Sequence, residues 1–254
     1  MHSFKAYFKK EILEGMRTYR YIIIASVFIG FAIFTPMMLK MLPSILESQG
    51  DGIDYSQLMK VTQTSALQNY MGNILQLGTL VVVLSLMGIV AEEVKNHLFV
   101  MPTSKELSFT GVILSKGVHY SILVSILIPI AMTINYYYVA MLFEDGVVTL
   151  QQTLSSAFHL TCYFIFIIHL LICIGSYVKK SGVVATITML VLLAMPLLNK
   201  INALSKVLPY YFIEAATKVS NLDSSVFMPL LVLSGYIVLL NGMAIHRLKT
   251  RELE

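Results

Sequence analysis

Charge is what this sequence has least of. Asp, Glu, Lys and Arg make up 13% of its 254 residues, about half the share found in an ordinary soluble domain. So few charges cannot cover a water-soluble globule. The 57% hydrophobic content and a mean hydropathy of +0.76 point the same way. Cysteine is almost missing too. Cys162 and Cys173 stand 11 residues apart, about 16 Å along a helix. That is too far for them to bridge each other. No disulfide framework is expected, and the redox compartment stays open.

Other absences exclude other classes. The ten-residue alternating segments of a β-barrel do not occur. Low-complexity stretches and strong internal repeats are missing, which argues against an inverted-repeat secondary transporter. The first apolar run is too long for a signal core and no small-x-small site comes after it, so no cleavable leader is expected. A phosphate-cradling loop would read Gly-x-x-x-x-Gly-Lys-Ser/Thr. The nearest string is GVILSKG, Gly111–Gly117. Its lysine precedes the second glycine, and it leads straight into an apolar run.

Against these absences stand six long stretches free of Asp, Glu, Lys and Arg: 21–39, 61–91, 117–143, 146–178, 181–199 and 224–246. Crossing a hydrocarbon layer of about 30 Å takes about 20 apolar residues. The expectation is an all-α integral membrane protein in one domain, 1–254. Its six spans are placed at about 21–39, 72–91, 117–142, 156–178, 181–198 and 226–246. Loops on the second side cover about 40–70, 144–153 and 199–226, the last with a short helix. Lysines and arginines set the orientation. Lys5, Lys9, Lys10, Arg17, Arg20, Lys95, Lys105, Lys116, Lys179, Lys180, Arg247, Lys249 and Arg251 fall on one side, against Lys40, Lys60, Lys200, Lys206 and Lys218 on the other. The positive-inside rule puts both termini and residues 92–116 in the cytoplasm. The net charge of +4 therefore reads as orientation, not as nucleic-acid binding.

The start, 1–20, places Phe4, Phe8, Ile12 and Met16 at steps of four, with lysines beside them. This predicts an amphipathic helix lying in the inner membrane interface. Within the spans, Gly72, Gln76 and Thr79 share a face. Ser155, Cys162, His169, Cys173 and Ser176 form a second stripe on span four. Helix packing explains both stripes; a pathway lined by Gln76, Thr79, Ser155, Cys162, His169 and Cys173 is the functional alternative. His159–Cys162 and His169–Cys173 lie about 15 Å apart along the helix, too far to form one metal site. No metal ligand set is expected.

Residues 92–116 exceed what a turn needs. Glu92, Glu93 and Lys95 precede the apolar Leu98, Phe99 and Val100. Pro102 then breaks the helix, and Thr103 or Ser104 can cap a new one. Such a helix–break–helix segment offers charges and an apolar wedge to a soluble partner. EEVKNH, Glu92–His97, is also similar to the Glu-Glu-x-x-x-Arg signature of CAAX-processing membrane proteases. His97 replaces the arginine, and no Phe-x-x-x-His occurs downstream.

The stretch from LQNYMGNILQLG through AEEVKNHLFVMPTSKELSFTGVILSKGV resembles the permease subunits of type-2 ABC exporters. The resemblance rests on Gln76–Gly78, Glu92 or Glu93, Asn96–Leu98, PTSK at Pro102–Lys105, and Lys116. The amphipathic start, six spans and inner termini extend it over the chain. It implies a non-enzymatic subunit of the cell membrane that pairs with itself or a second permease and rests on a separate ATPase subunit. ATP and Mg would bind that ATPase, not this chain. Glu92, Glu93, Lys95, Leu98, Phe99, Pro102, Ser104 and Lys105 would form the coupling helix. The cargo would be hydrophobic or amphipathic: a peptide, a lipid-like molecule or a drug. An intramembrane hydrolase, and a scaffold or immunity factor that moves nothing, are the alternatives.

Overall fold

A computed structural model describes residues 2–49, 61–96, 108–200, 207–222 and 226–251. The described chain is helical, without strands, and six of its helical stretches are long and apolar enough to cross a membrane. The fold is that of a multi-pass membrane protein. In chain order the elements are α1 (His2–Arg17), α2 (Arg20–Gln49), α3 (Gln63–Asn73), a π-helical turn (Ile74–Gly78), α4 (Thr79–Leu86), α5 (Ala91–Lys95), α6 (Phe109–Leu142), α7 (Leu150–Tyr177), α8 (Ser181–Asn199), α9 (Tyr211–Thr217) and α10 (Phe227–Arg251).

The spans outrun their expected bounds. α2 continues past Lys40, Pro36 and Pro43, so the expected loop at 40–70 begins later. Lys40 sits over the Phe143 ring, 5.8 Å from its centre. A long lysine stem of this kind reaches from an apolar helix to a polar edge. The second span starts at Gln63, not near 72, because Thr62 and Ser65 form a capping box there. It runs Gln63–Lys95, about 50 Å at 1.5 Å per residue. Span three begins at Phe109, where the Ser108 hydroxyl accepts from the Gly111 amide. Residues 109–116, expected in the cytoplasmic segment, thus belong to the span helix. Thr149 and Gln152 box the start of α7 in the same way, and the short helix expected in 199–226 is α9.

α7 is the central post. Leu160, Phe164, Ile167, Ile168 and Ile172 are sealed from the surface, with α6, α8, α9 and α10 packed around them. The periphery is apolar as well: Leu190, Leu193, Leu197, Phe227, Met228 and Val238 are exposed. An apolar outer surface is what lipid, not water, rewards. Packing therefore relies on close fit and interhelical hydrogen bonds more than on hiding apolar area.

α1 folds back beside the start of α2. The corner is Tyr19, a non-glycine at φ +56°. The Tyr21 ring fills the space against Gly15, where a Cβ would overlap it. The Tyr21 hydroxyl lies 3.3 Å from the Glu11 and Ile12 carbonyls and 2.7 Å from His119 Nε2. This corner lays α1 across α6.

Candidate functional site

Three places carry chemistry. The first is a charge cluster where α1 crosses α6 and the end of span two. Glu11 and Lys116 are fully buried and paired. Glu93 lies between Lys116, 3.0 Å from its Oε2, and Lys10. Arg20 Nη1 reaches Glu14 Oε1 at 3.2 Å and the Tyr120 hydroxyl at 3.1 Å. Tyr120 in turn stands 3.4 Å from Glu11 Oε2. Three carboxylates are thus matched by three cations. Oxygens of Glu11, Glu14 and Glu93 approach within 4.8 Å of one another, but Lys10, Arg20 and Lys116 supply the opposing charge. The cluster reads as an ion-pair node rather than a metal cradle.

Burial raises the pKa of Glu11, against the pull of Lys116. Burial works to lower that of Lys10, but Glu93, Glu11 and Glu14 together outweigh it and raise the value. Burial and then Glu93 raise Tyr7. Motif spacing alone assigns Glu93 to the coupling surface and leaves Glu11 and Glu14 out. A signal was available: at 100° per residue, Glu11 and Glu14 share the side of α1 opposite Lys5 and Lys9.

Glu92 and Lys95, one residue before Glu93 and two after it, are exposed. The Ser181 hydroxyl donates to Glu92 at 3.2 Å. Span two therefore ends with Glu93 anchored inward and Glu92 and Lys95 at the surface. Leu98, Phe99, Pro102, Ser104 and Lys105 lie outside the described residues, as do His97 and the expected cap at Thr103.

The second place is the stripe on α7. Ser155, Cys162, His169 and Cys173 are all buried in the bundle. The His169 ring meets the Asn241 side chain of α10 at 3.0–3.2 Å. It also presses on Gly117 of α6, where a Cβ would sit 2.5 Å from His169 Cε1. His159 Nδ1 bonds the Ser155 carbonyl at 2.8 Å. His169 thus fastens α7 to α10 and packs it on α6, whereas the His159 bond stays within α7. Among the described residues, neither Glu92 nor Glu93 bonds to an imidazole.

The third place is on span two. The helix is largely enclosed, but Gln68, Asn69, Gln76, Leu77, Leu80 and Leu84 are open, with Asn73 at the edge of that strip. Asn73 is half-buried and donates to Thr35 at 3.0 Å; Gln76, in the π-helical turn, is exposed. Thr79 shares the expected face with Gln76 but is buried. At 100° per residue the two already stand about 60° apart, and the side of the helix that carries Thr79 is the one its neighbours cover.

No family model matches the chain, and no curated protein is similar to it.

Proposed function

We propose that this chain is the transmembrane permease subunit of an ATP-driven exporter of the type-2 ABC kind. It would move a hydrophobic or amphipathic cargo, with energy from a separate ATPase. The observation that carries the reading is the open stripe of span two. Hydrocarbon offers nothing to a carboxamide, and an exposed Gln76 well inside a span is costly against lipid. Asn69, Asn73 and Gln76 make chemical sense facing a partner permease or a wet passage between the two. The buried stripe of α7 then serves packing, and Gln76 is the stronger pathway residue.

The ends of the spans support the power source. Among the described residues, Asp, Glu, Lys and Arg keep towards the ends of the six long apolar helices, so none of these offers a coupling charge at mid-depth. Residues 92–105 form the docking helix in this proposal. Glu92 and Lys95 would meet the ATPase by charge, Leu98 and Phe99 would fill an apolar pocket, and Pro102, Ser104 and Lys105 would complete the segment. Glu93 has a different task. Paired with Lys10 and Lys116, it would carry a push on the segment into α1 and span three. α1 lies in the membrane interface in this scheme, and both termini are cytoplasmic.

The test is isolation from native membranes in mild detergent. A nucleotide-binding subunit with vanadate-sensitive ATP hydrolysis should come with the chain. Leu98→Glu with Phe99→Glu should lose that subunit or its stimulation. Repeated isolation of the chain alone, with no ATPase, would sink the proposal.

A further inference from the structure

α1 sorts its charges by side. Lys5, Lys9, Ile12, Leu13, Met16 and Arg17 fall within about 140° of one another around the helix, and all six are exposed. Tyr7, Lys10, Glu11 and Glu14 fall on the other side, against α5 and α6. Both acids of the helix are therefore turned towards the protein, where Lys116, Arg20 and Lys10 neutralise them. Lys5, Lys9 and Arg17 have no acidic partner among the described residues. The outward face carries three cations, three large apolar side chains and no anion.

Turning acids inward has a cost, because a carboxylate taken out of water loses hydration that its partner only partly restores. Its effect on the outside is a face of a single charge sign. Water alone would accept the cations but not Ile12, Leu13 and Met16, which are 37%, 47% and 62% exposed. A zwitterionic lipid surface would accept the apolar residues and leave the cations without net counter-charge. An anionic lipid surface satisfies both.

We propose that the outward face of α1 binds anionic phospholipid headgroups. Ile12, Leu13 and Met16 enter the acyl boundary while Lys5, Lys9 and Arg17 hold the phosphates. The inference rests on α1 lying in the membrane interface, as read under the proposed function.

The experiment uses the full chain in phosphatidylcholine vesicles containing spin-labelled phosphatidylglycerol or spin-labelled phosphatidylcholine. The motionally restricted fraction of each label gives their relative association. Wild type should prefer phosphatidylglycerol by about fivefold for each headgroup bound, the ratio that ~1 kcal/mol per basic residue gives when one headgroup meets one cation. Raising salt from about 0.1 M to about 0.5 M should shrink that preference by screening. Lys5→Gln with Lys9→Gln and Arg17→Gln should abolish it at unchanged melting temperature, whereas Lys5→Arg with Lys9→Arg should keep it. Equal association of the two lipids with wild type, or an undiminished preference in the glutamine variant, overturns the inference.

A spin label at Met16→Cys separates the two readings. Collision with oxygen rather than with a water-soluble nickel chelate places α1 in the membrane. A membrane-embedded label without lipid preference defeats this inference alone. A water-exposed label defeats the interfacial reading and this inference with it.

Discussion

Lys116 of α6 and Glu11 of α1 lie 105 residues apart in sequence and pair in full burial. Lys116 also faces Glu93 at 3.0 Å. One ammonium thus binds the N-terminal helix to the end of span two and the start of span three.

Removing that ammonium should be the most damaging change in the cluster. Lys116→Met leaves Glu11 buried without its ion-pair partner and Glu93 with Lys10 alone, and should cost about 3–5 kcal/mol. Glu11→Gln should cost less, about 1 kcal/mol, because an amide keeps a hydrogen bond and burial already works against the carboxylate charge. Thermal unfolding in one detergent measures both. Equal losses would mean that Glu93 does not share Lys116.

Glu11 also sets a pH dependence. Its pKa lies above the ordinary 4.5 because burial outweighs Lys116. The folded state therefore holds this proton more tightly than the unfolded chain does. The stabilisation it contributes is complete below pH 4.5 and is lost as pH rises through the raised folded value. Glu11→Gln cannot titrate. The melting temperature of wild type minus that of Glu11→Gln should grow as pH falls from neutral towards 4.5. A difference that shrinks on acidification would show the ion pair outweighing burial.

Two glycine substitutions should part company. A Cβ on Gly117 meets the His169 ring at 2.5 Å, and that ring is fixed by Asn241. Gly117→Ala should cost about 1–3 kcal/mol by overpacking. A Cβ on Gly88 meets the Glu92 carboxylate, also at 2.5 Å, but Glu92 is exposed and can swing away. Gly88→Ala should stay within about 0.5 kcal/mol. Melting curves of the two variants decide it; similar losses would mean the His169 ring can also move.

Gln63 ties the start of span two to the turn before α7. Its side chain donates to the Phe143 carbonyl at 2.7 Å and accepts from the Val148 amide at 3.2 Å. Gln63→Leu strands both buried groups and should cost about 2 kcal/mol. The turn should open locally, so a glutamate-specific protease should cut at Glu144 sooner than in wild type. Unchanged cutting would show the turn held by other bonds, such as that from the Gln63 amide to Asp145.

The six spans were legible from the spacing of charged residues because lipid rejects charge wherever it falls in a helix, whatever the neighbours. Where each helix starts depends on local partners, so the Thr62, Ser108 and Thr149 caps moved the boundaries outward. The N-terminal helix was legible too, but its steps-of-four stripe misplaced part of the outward side. Steps of four drift by 40° per step at 100° per residue, so Phe4 and Phe8 turn towards the protein while Ile12 and Met16 stay outside. Phe8 packs on His119 at 5.3 Å.

By itself, then, the sequence determined helical class, span number and where charge is forbidden, since these depend on composition and period. Tertiary structure alone decided which charges meet. Glu93 reads as a surface residue beside Glu92, and only the crossing of α1 over α6 turns it towards Lys10 and Lys116. Gln76 and Thr79 read as one face, and only the helices packed against span two leave the first open and cover the second. Pairing over 105 residues and the choice of which side of a helix is covered are set by packing against other segments, which no local pattern encodes.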